Sequence, residues 1–181
     1  MAFQFKVATA QDIPDIRELI SASVRELQVE YSPTQREAAL ATVFTVDSRL
    51  IADGTYFLAY AEDGRLAGCG GWSRRKTLYG GDQQVETIEP ELLDPATDAA
   101  KIRAIFVHPD FARQGLGSLI LQTSEDAACA EGFTRFEMGS TLTGVTLYSL
   151  NGYREMVRIK VPVSGAETID VVRMVKELSE P

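Results

Sequence analysis

The sequence is poor in the side chains that hold metals and cross-links. Only Cys69, Cys129 and His108 represent cysteine and histidine in 181 residues. Two isolated cysteines, with no C-x-x-C pair, and a single histidine do not make a zinc site, and they give no disulfide framework. Long apolar runs are missing too. No stretch approaches the ~18 residues of a membrane span, and Met1–Ala10, which carries Lys6, lacks the apolar centre of a signal peptide. The expectation is a reduced, cytoplasmic protein that does not act at a membrane. Positive charge is also scarce: 18 Lys and Arg stand against 26 Asp and Glu, a formal net charge of −8. That balance argues against a nucleic-acid partner, whose phosphates must be neutralised by basic side chains. A small anionic ligand is still allowed, because it answers to local charge.

What is present is ordinary for a globular chain, with 45% apolar and 24% charged residues. The length predicts one domain over residues 1–181, large enough to bury a core unaided. Phe3–Val7 reads as a first strand. Ile13, Ile16, Ile20, Val24 and Leu27 mark one face of a helix, with Thr9 or Asp12 as its cap and Pro14 in its first turn. A second helix is predicted over Pro33–Phe44. Thr55–Ala61 and Arg65–Ser73 read as a hairpin about Asp63-Gly64. After an aperiodic stretch, Arg74–Ala100, come a strand at Ile102–Val107, a helix at Gly115–Glu131 and a strand at Phe133–Met138. A short helix at Leu142–Leu150 stops at Asn151-Gly152, and strands at Met156–Val163 and Thr168–Val175 close the chain. The sum is a mixed α/β sheet domain without internal repeats.

Chemistry concentrates between Ile102 and Tyr153. A strand leads through His108-Pro109-Asp110-Phe111 into Ala112-Arg113-Gln114-Gly115-Leu116-Gly117-Ser118, which opens a helix. Two glycines at a helix start let backbone approach a ligand closely. The unpaired amides of the first turn, with the dipole behind them, suit a phosphate. The Walker string Gly-x4-Gly-Lys-Ser/Thr is absent. The dinucleotide fingerprint fails as well, since Ile120 stands where its third glycine belongs.

Together, Val-His-Pro-Asp, Ala-Arg-Gln-Gly-Leu-Gly-Ser and the downstream Leu147-Tyr148-Ser149-Leu150-Asn151-Gly152-Tyr153 resemble the acetyl-CoA motif and the Phe-Tyr-x-x-x-Gly-Phe element of the GNAT N-acetyltransferase superfamily. The close resemblance covers about 50 residues. It implies an α/β fold: a mixed, mostly antiparallel central sheet flanked by helices, with splayed strands at the CoA site. It implies acetyl-CoA as acyl donor, with the backbone of Ile105, Phe106 and Val107 pairing with pantetheine. The amides of Arg113, Gln114, Gly115, Leu116, Gly117 and Ser118 would wrap the pyrophosphate. Tyr148 would lie near the thioester sulfur as general acid. The sequence departs from the family pattern at Ala112, where Gln or Arg is usual, and at Lys101, where a glutamate general base is common.

The implied reaction moves an acetyl group directly to a primary amine of a small molecule or peptide. An amine with a lysine-like pKa is neutral in only roughly one molecule in 2,500 at pH 7, so a base must remove its proton. A backbone N–H around Val107 would serve the oxyanion, and Tyr148 would protonate the leaving thiolate. Neither cysteine is needed as a nucleophile. The alternative is a non-catalytic acyl-CoA-binding sensor or partner module, which the missing glutamate favours and Tyr148 opposes. A homodimer is compatible with either reading.

Other features carry weaker expectations. His108 reads as a turn residue before Pro109, and Leu116, Leu119, Ile120 and Ala127 read as a buried helix face. The glycines and tryptophan of Gly68–Trp72 signal either a shaped acceptor pocket or a thinly packed strand. Arg74-Arg75-Lys76 reads as a solvated basic turn. Residues 77–100 hold Asp82, Glu86, Glu89, Glu91, Asp94 and Asp98 and no basic residue, leaving 20 acidic against 18 basic residues elsewhere. This acidic connection is expected either to fold over the acceptor site, drawing a cationic amine and supplying the base, or to be a solvated insertion. Lys101, Arg103 and Arg113 are expected near the CoA cradle.

Overall fold

The chain runs β1 (Gln4–Val7), α1 (Ile13–Leu27), α2 (Pro33–Leu40), α3 (Ser48–Ala52), β2 (Tyr56–Tyr60), β3 (Leu66–Ser73), β4 (Ala100–Val107), α4 (Leu116–Ala130), β5 (Arg135–Thr141), α5 (Val145–Leu150), β6 (Arg154–Pro162) and β7 (Thr168–Glu177). The computed structural model describes residues 2–79, 81–82 and 91–179. All seven strands join one sheet in the order β1-β2-β3-β4-β5-β7-β6. Only β4 and β5 pair parallel; the rest of the sheet is antiparallel. Among the described residues, no helix is long and apolar enough to cross a membrane.

Local chemistry sets the helix ends. Thr9 N–H donates to the Asp12 carboxylate at 2.8 Å just ahead of α1, and Ser32 and Gln35 cap one another reciprocally at the start of α2. The predicted second helix is shorter than expected. The N–H groups of Thr42 and Phe44 both turn back onto the Ala39 carbonyl, which brings Phe44 edge-on to Phe106 at 6.0 Å. The five residues of α3 are too few for a hydrophobic period to reveal. Asp47 caps them, its carboxylate accepting from the Arg49 N–H at 3.1 Å.

Strand β3 shows how the two faces of the sheet are covered. A Cβ on Gly70 would lie 2.6 Å from Ile120 Cγ2, and one on Gly68 2.7 Å from Ile120 Cδ1. Helix α4 therefore rests almost directly on this strand's backbone, which is why both positions lack side chains. Cys69, between them, points the other way, into the cluster formed by Ile16, Ile20 and Val24 of α1. Trp72 belongs to the α4 side and packs against Phe133 at 5.6 Å. So the glycines make room for α4, and Trp72 packs in the core. The buried face of α4 is Leu116, Ile120, Leu121, Ser124 and Ala128, whereas Leu119 is 47% exposed. Leu119 falls on the opposite side of the 3.6-residue stripe.

The basic triplet after β3 is not a free turn. Arg74 pairs with Glu131 at 2.6 Å, Lys76 with Glu91, and Arg75 grips both oxygens of Asp53 at 2.8 and 2.9 Å. The Arg75 fork holds the Asp53 carboxyl below the usual carboxylate range. A depressed folded-state pKa adds stability above the unfolded value near 3.8, and that stability fades as pH falls through the folded value. Asp53→Asn is therefore expected to lower unfolding free energy by about 2 kcal/mol at pH 7. In urea titrations the gap from wild type should narrow as pH falls below 3.8.

Candidate functional site

A break in the sheet makes the cleft. β4 and β5 pair only at Ala100↔Phe136 and Lys101↔Glu137, after which the strands separate. β5 goes on pairing with β7 through Thr141, while β4 stays with β3 but passes through a bulge. There Ala104 and Ile105 together face Gly70, between the pairs Gly71↔Arg103 and Cys69↔Phe106. Ala104 adopts a left-handed φ of 52°. An extra residue of this kind bends and twists its strand, turning Ile105–Val107 away from β5. The resulting cleft, open to solvent, is lined by Ile105, Phe106, Met138, Thr141 and Tyr148 among others.

The glycine loop follows the freed end of β4, and a Cβ on its Gly117 would lie 3.0 Å from Leu147 on α5. His108 acts as the turn residue expected, its Nδ1 accepting from the Asp110 N–H at 3.1 Å. Phe111 is buried and packs edge-on to Phe3. The chain then passes through Arg113 (φ 59°) and Gly115 (φ 80°) before α4 begins. A Cβ on Gly115 would meet nothing within 4 Å, so its backbone angle alone selects glycine. The first bond inside α4 runs from Leu119 N–H to Gly115 C=O. The amides of Leu116, Gly117 and Ser118 therefore have no intrahelical acceptor. Arg113, Gln114 and Gly115 are exposed, whereas the Leu116 side chain is core, which leaves the loop only its backbone. Unspent amides at the start of a 15-residue helix fit a phosphate group.

Tyr148 lies on α5 and lines the same cleft, 8% exposed. Its ring packs edge-on to Tyr153 at 5.9 Å. Burial pushes its phenol well above the ordinary tyrosine value, so it remains a neutral O–H donor. Asn151 ties this helix to the glycine loop. Its side-chain amide donates to Ser118 Oγ at 3.0 Å and to the Leu147 carbonyl at 2.8 Å. Sequence reasoning took Asn151 only as a helix stop; an amide side chain at that stop was the one available sign of a further role.

The charged residues of β4 are not where the sequence placed them. Lys101 and Arg103 are 8% and 4% exposed, both away from the cradle. Lys101 pairs with one oxygen of Glu137, whose other oxygen takes Arg173. Arg103 reaches Asp47 at 2.8 Å and the Thr77 carbonyl at 3.0 Å. The strand's alternation explains the correction, because these side chains share a face opposite α4. Of the three basic residues expected there, only Arg113 lies on the loop.

The described start of the acidic connection meets the cleft, and it does so by apolar contacts. Leu78 and Tyr79 line it, and Tyr79 lies over Gly139, where a Cβ would come within 3.5 Å of its ring. The described carboxylates are engaged elsewhere. Asp82 accepts from Ser48 N–H and Oγ at 2.8 and 2.7 Å, and Glu91 holds Lys76. Asp94 and Asp98 organise their own turn. Glu86 and Glu89 lie outside the described residues.

Comparison with known proteins agrees with this geometry. The model of the acetyltransferase (GNAT) family matches residues 18–153. No curated protein sequence matches significantly. Among solved structures, a GCN5-related N-acetyltransferase from Rhodopseudomonas palustris is similar, with a TM-score of 0.72 and 19% identity over 98% of this chain and 97% of that chain. A PaiA N-acetyltransferase from Thermoplasma acidophilum, in complex with coenzyme A, gives 0.65 and 13% over 98% and 99%. A phosphinothricin acetyltransferase from Sinorhizobium meliloti, in complex with acetyl-CoA, gives 0.65 and 20% over 99% and 90%.

Proposed function

The chain belongs to the acetyltransferase (GNAT) family, and from that membership we propose that it transfers an acetyl group from acetyl-CoA directly to a primary amine of a small molecule or peptide. One observation carries the reading: β4, parting from β5, runs into the glycine loop, and Asn151 ties Ser118 of that loop to α5, whose Tyr148 lines the cleft. The amides of Arg113 to Ser118 hold the pyrophosphate. The backbone of Ile105, Phe106 and Val107, released from β5, pairs with the pantetheine. Acetyl-CoA supplies the acyl group as a thioester. As the new N–C bond forms and the C–S bond breaks, Tyr148 gives its proton to the leaving sulfur. The amine loses its own proton to water or a nearby base.

The acceptor side of the cleft supports an amine on an apolar body. Val43, Phe44, Leu78, Tyr79, Val161 and Val171 line it, and Arg103 is balanced there by Asp47. No described carboxylate in this wall is left to draw a polycation. In an assay of thiol release from acetyl-CoA, aryl- and alkylamines are expected to exceed spermidine in kcat/KM by about tenfold, the worth of burying one or two methylene groups. Preference for spermidine would return the acidic connection to the acceptor site. The engagement of Asp47 and Glu137 in ion pairs favours a second reading, a silent acyl-CoA-binding module. Tight CoA binding without turnover of any amine in the panel would establish it.

A further inference from the structure

The bulge that opens the cleft is held from behind by two buried side chains outside the motifs. The Tyr56 hydroxyl lies 3.0 Å from the Ala104 carbonyl oxygen and 3.1 Å from Cys69 Sγ. Tyr56 and Cys69 are 2% and 0% exposed. A phenol has one proton to donate. Spent on the carbonyl, which has none to offer, it leaves the phenol oxygen to accept from the thiol. The order is therefore Cys69 S–H to Tyr56 oxygen, and Tyr56 O–H to Ala104 C=O.

That carbonyl sits at the one non-glycine residue of the sheet with a left-handed φ. Such a conformation costs about 1–2 kcal/mol and persists only where its surroundings fix it. A trans peptide carries its C=O and N–H on opposite edges. Whatever fixes the Ala104 carbonyl thus fixes the direction of the Ile105 N–H, in a segment where both residues line the cleft. Burial pushes the Cys69 thiol up to about 12 and the Tyr56 phenol well above its usual value, so both protons stay in place.

We propose that Tyr56, backed by the Cys69 thiol, is a positioning residue that sets the Ala104–Ile105 peptide at the mouth of the transfer cleft. The proposal rests on the transferase reading for its effect on turnover, but the peptide can be observed without it. Tyr56→Phe removes one oxygen and keeps the ring. In the folded full chain, the Ile105 amide signal is expected to shift and exchange about tenfold faster, with kcat per CoA-binding site about tenfold lower, the scale of one lost hydrogen bond. A merely structural role would lower the number of CoA-binding sites and leave kcat per site alone. Unchanged kcat per site in folded Tyr56→Phe overturns the proposal, whether or not the amide moves.

If Tyr56→Phe does not fold, Cys69→Ser and Cys69→Ala carry the test. Serine keeps a donor for the phenol and should retain wild-type Ile105 exchange, while alanine should speed it. Equal exchange in the two overturns the proposal. A wild-type chain that acetylates no amine removes the transferase reading instead, and the Ile105 exchange rate alone then decides for or against the clamp.

Discussion

Tyr148→Phe is expected to lower kcat about 100-fold while CoA affinity changes by less than about threefold, because a proton donor acts in the transition state and not in donor binding. The phenol is well placed for that separation. It lines the cleft between the diverging strands, and no described residue accepts its proton. Its ring stays packed against Tyr153 without the oxygen, so the variant should fold as the wild type does. Burial also holds the proton far above the ordinary tyrosine value. Wild-type kcat should therefore show no alkaline loss near pH 10 from this residue. The measurements are steady-state rates with the preferred amine and calorimetric titration of CoA. Equal kcat in Tyr148→Phe would remove the residue from the mechanism. Loss of CoA binding in step with kcat would make it a binding residue instead.

How much of this site was legible in the sequence follows from how local each part is. The glycine loop was readable because a left-handed glycine, a second glycine and a helix start lie within a few residues of one another. Tyr148 was readable through its spacing from that loop and from Gly152. The Tyr56 clamp was not, because its hydroxyl meets Ala104 across 48 residues of chain and two strand pairings. The bulge itself leaves no mark on an Ala-Ile-Phe string. Placement of charge failed for a related reason. Lys101 and Arg103 are close to the loop in sequence, but strand alternation sends them to the other face, where Glu137 and Asp47 wait on distant elements. The acidic connection shows the same limit. Its composition suggested attraction for a cation, yet Asp82 is taken by Ser48 and Glu91 by Lys76, while Asp94 and Asp98 organise their own turn. Only register and contact, which composition does not encode, separate a carboxylate that recognises a ligand from one that caps a helix.

Asp47 illustrates how much one such distant partner supports. Asp47→Ala is expected to destabilise the fold by about 2–3 kcal/mol, since it takes a charge-assisted hydrogen bond from the buried Arg103 guanidinium. In a chain of this size that corresponds to a melting-temperature drop of roughly 8 °C. The same carboxylate caps α3 through the Arg49 N–H, so asparagine, which can keep the cap, should recover about 1 kcal/mol of the loss. Arg103 also holds the Thr77 carbonyl, the point where the connection enters the cleft. Any folded Asp47 variant should therefore raise acceptor KM more than acetyl-CoA KM. Urea denaturation with an unchanged m value measures the first effect, and the ratio of the two KM values measures the second. A double variant, Asp47→Leu with Arg103→Met, separates the roles. Replacing both charges with apolar groups should restore much of the stability, yet Thr77 would remain unheld and acceptor KM would stay high. Recovery of both together would mean that the pair serves the fold alone, with no part in shaping the acceptor wall.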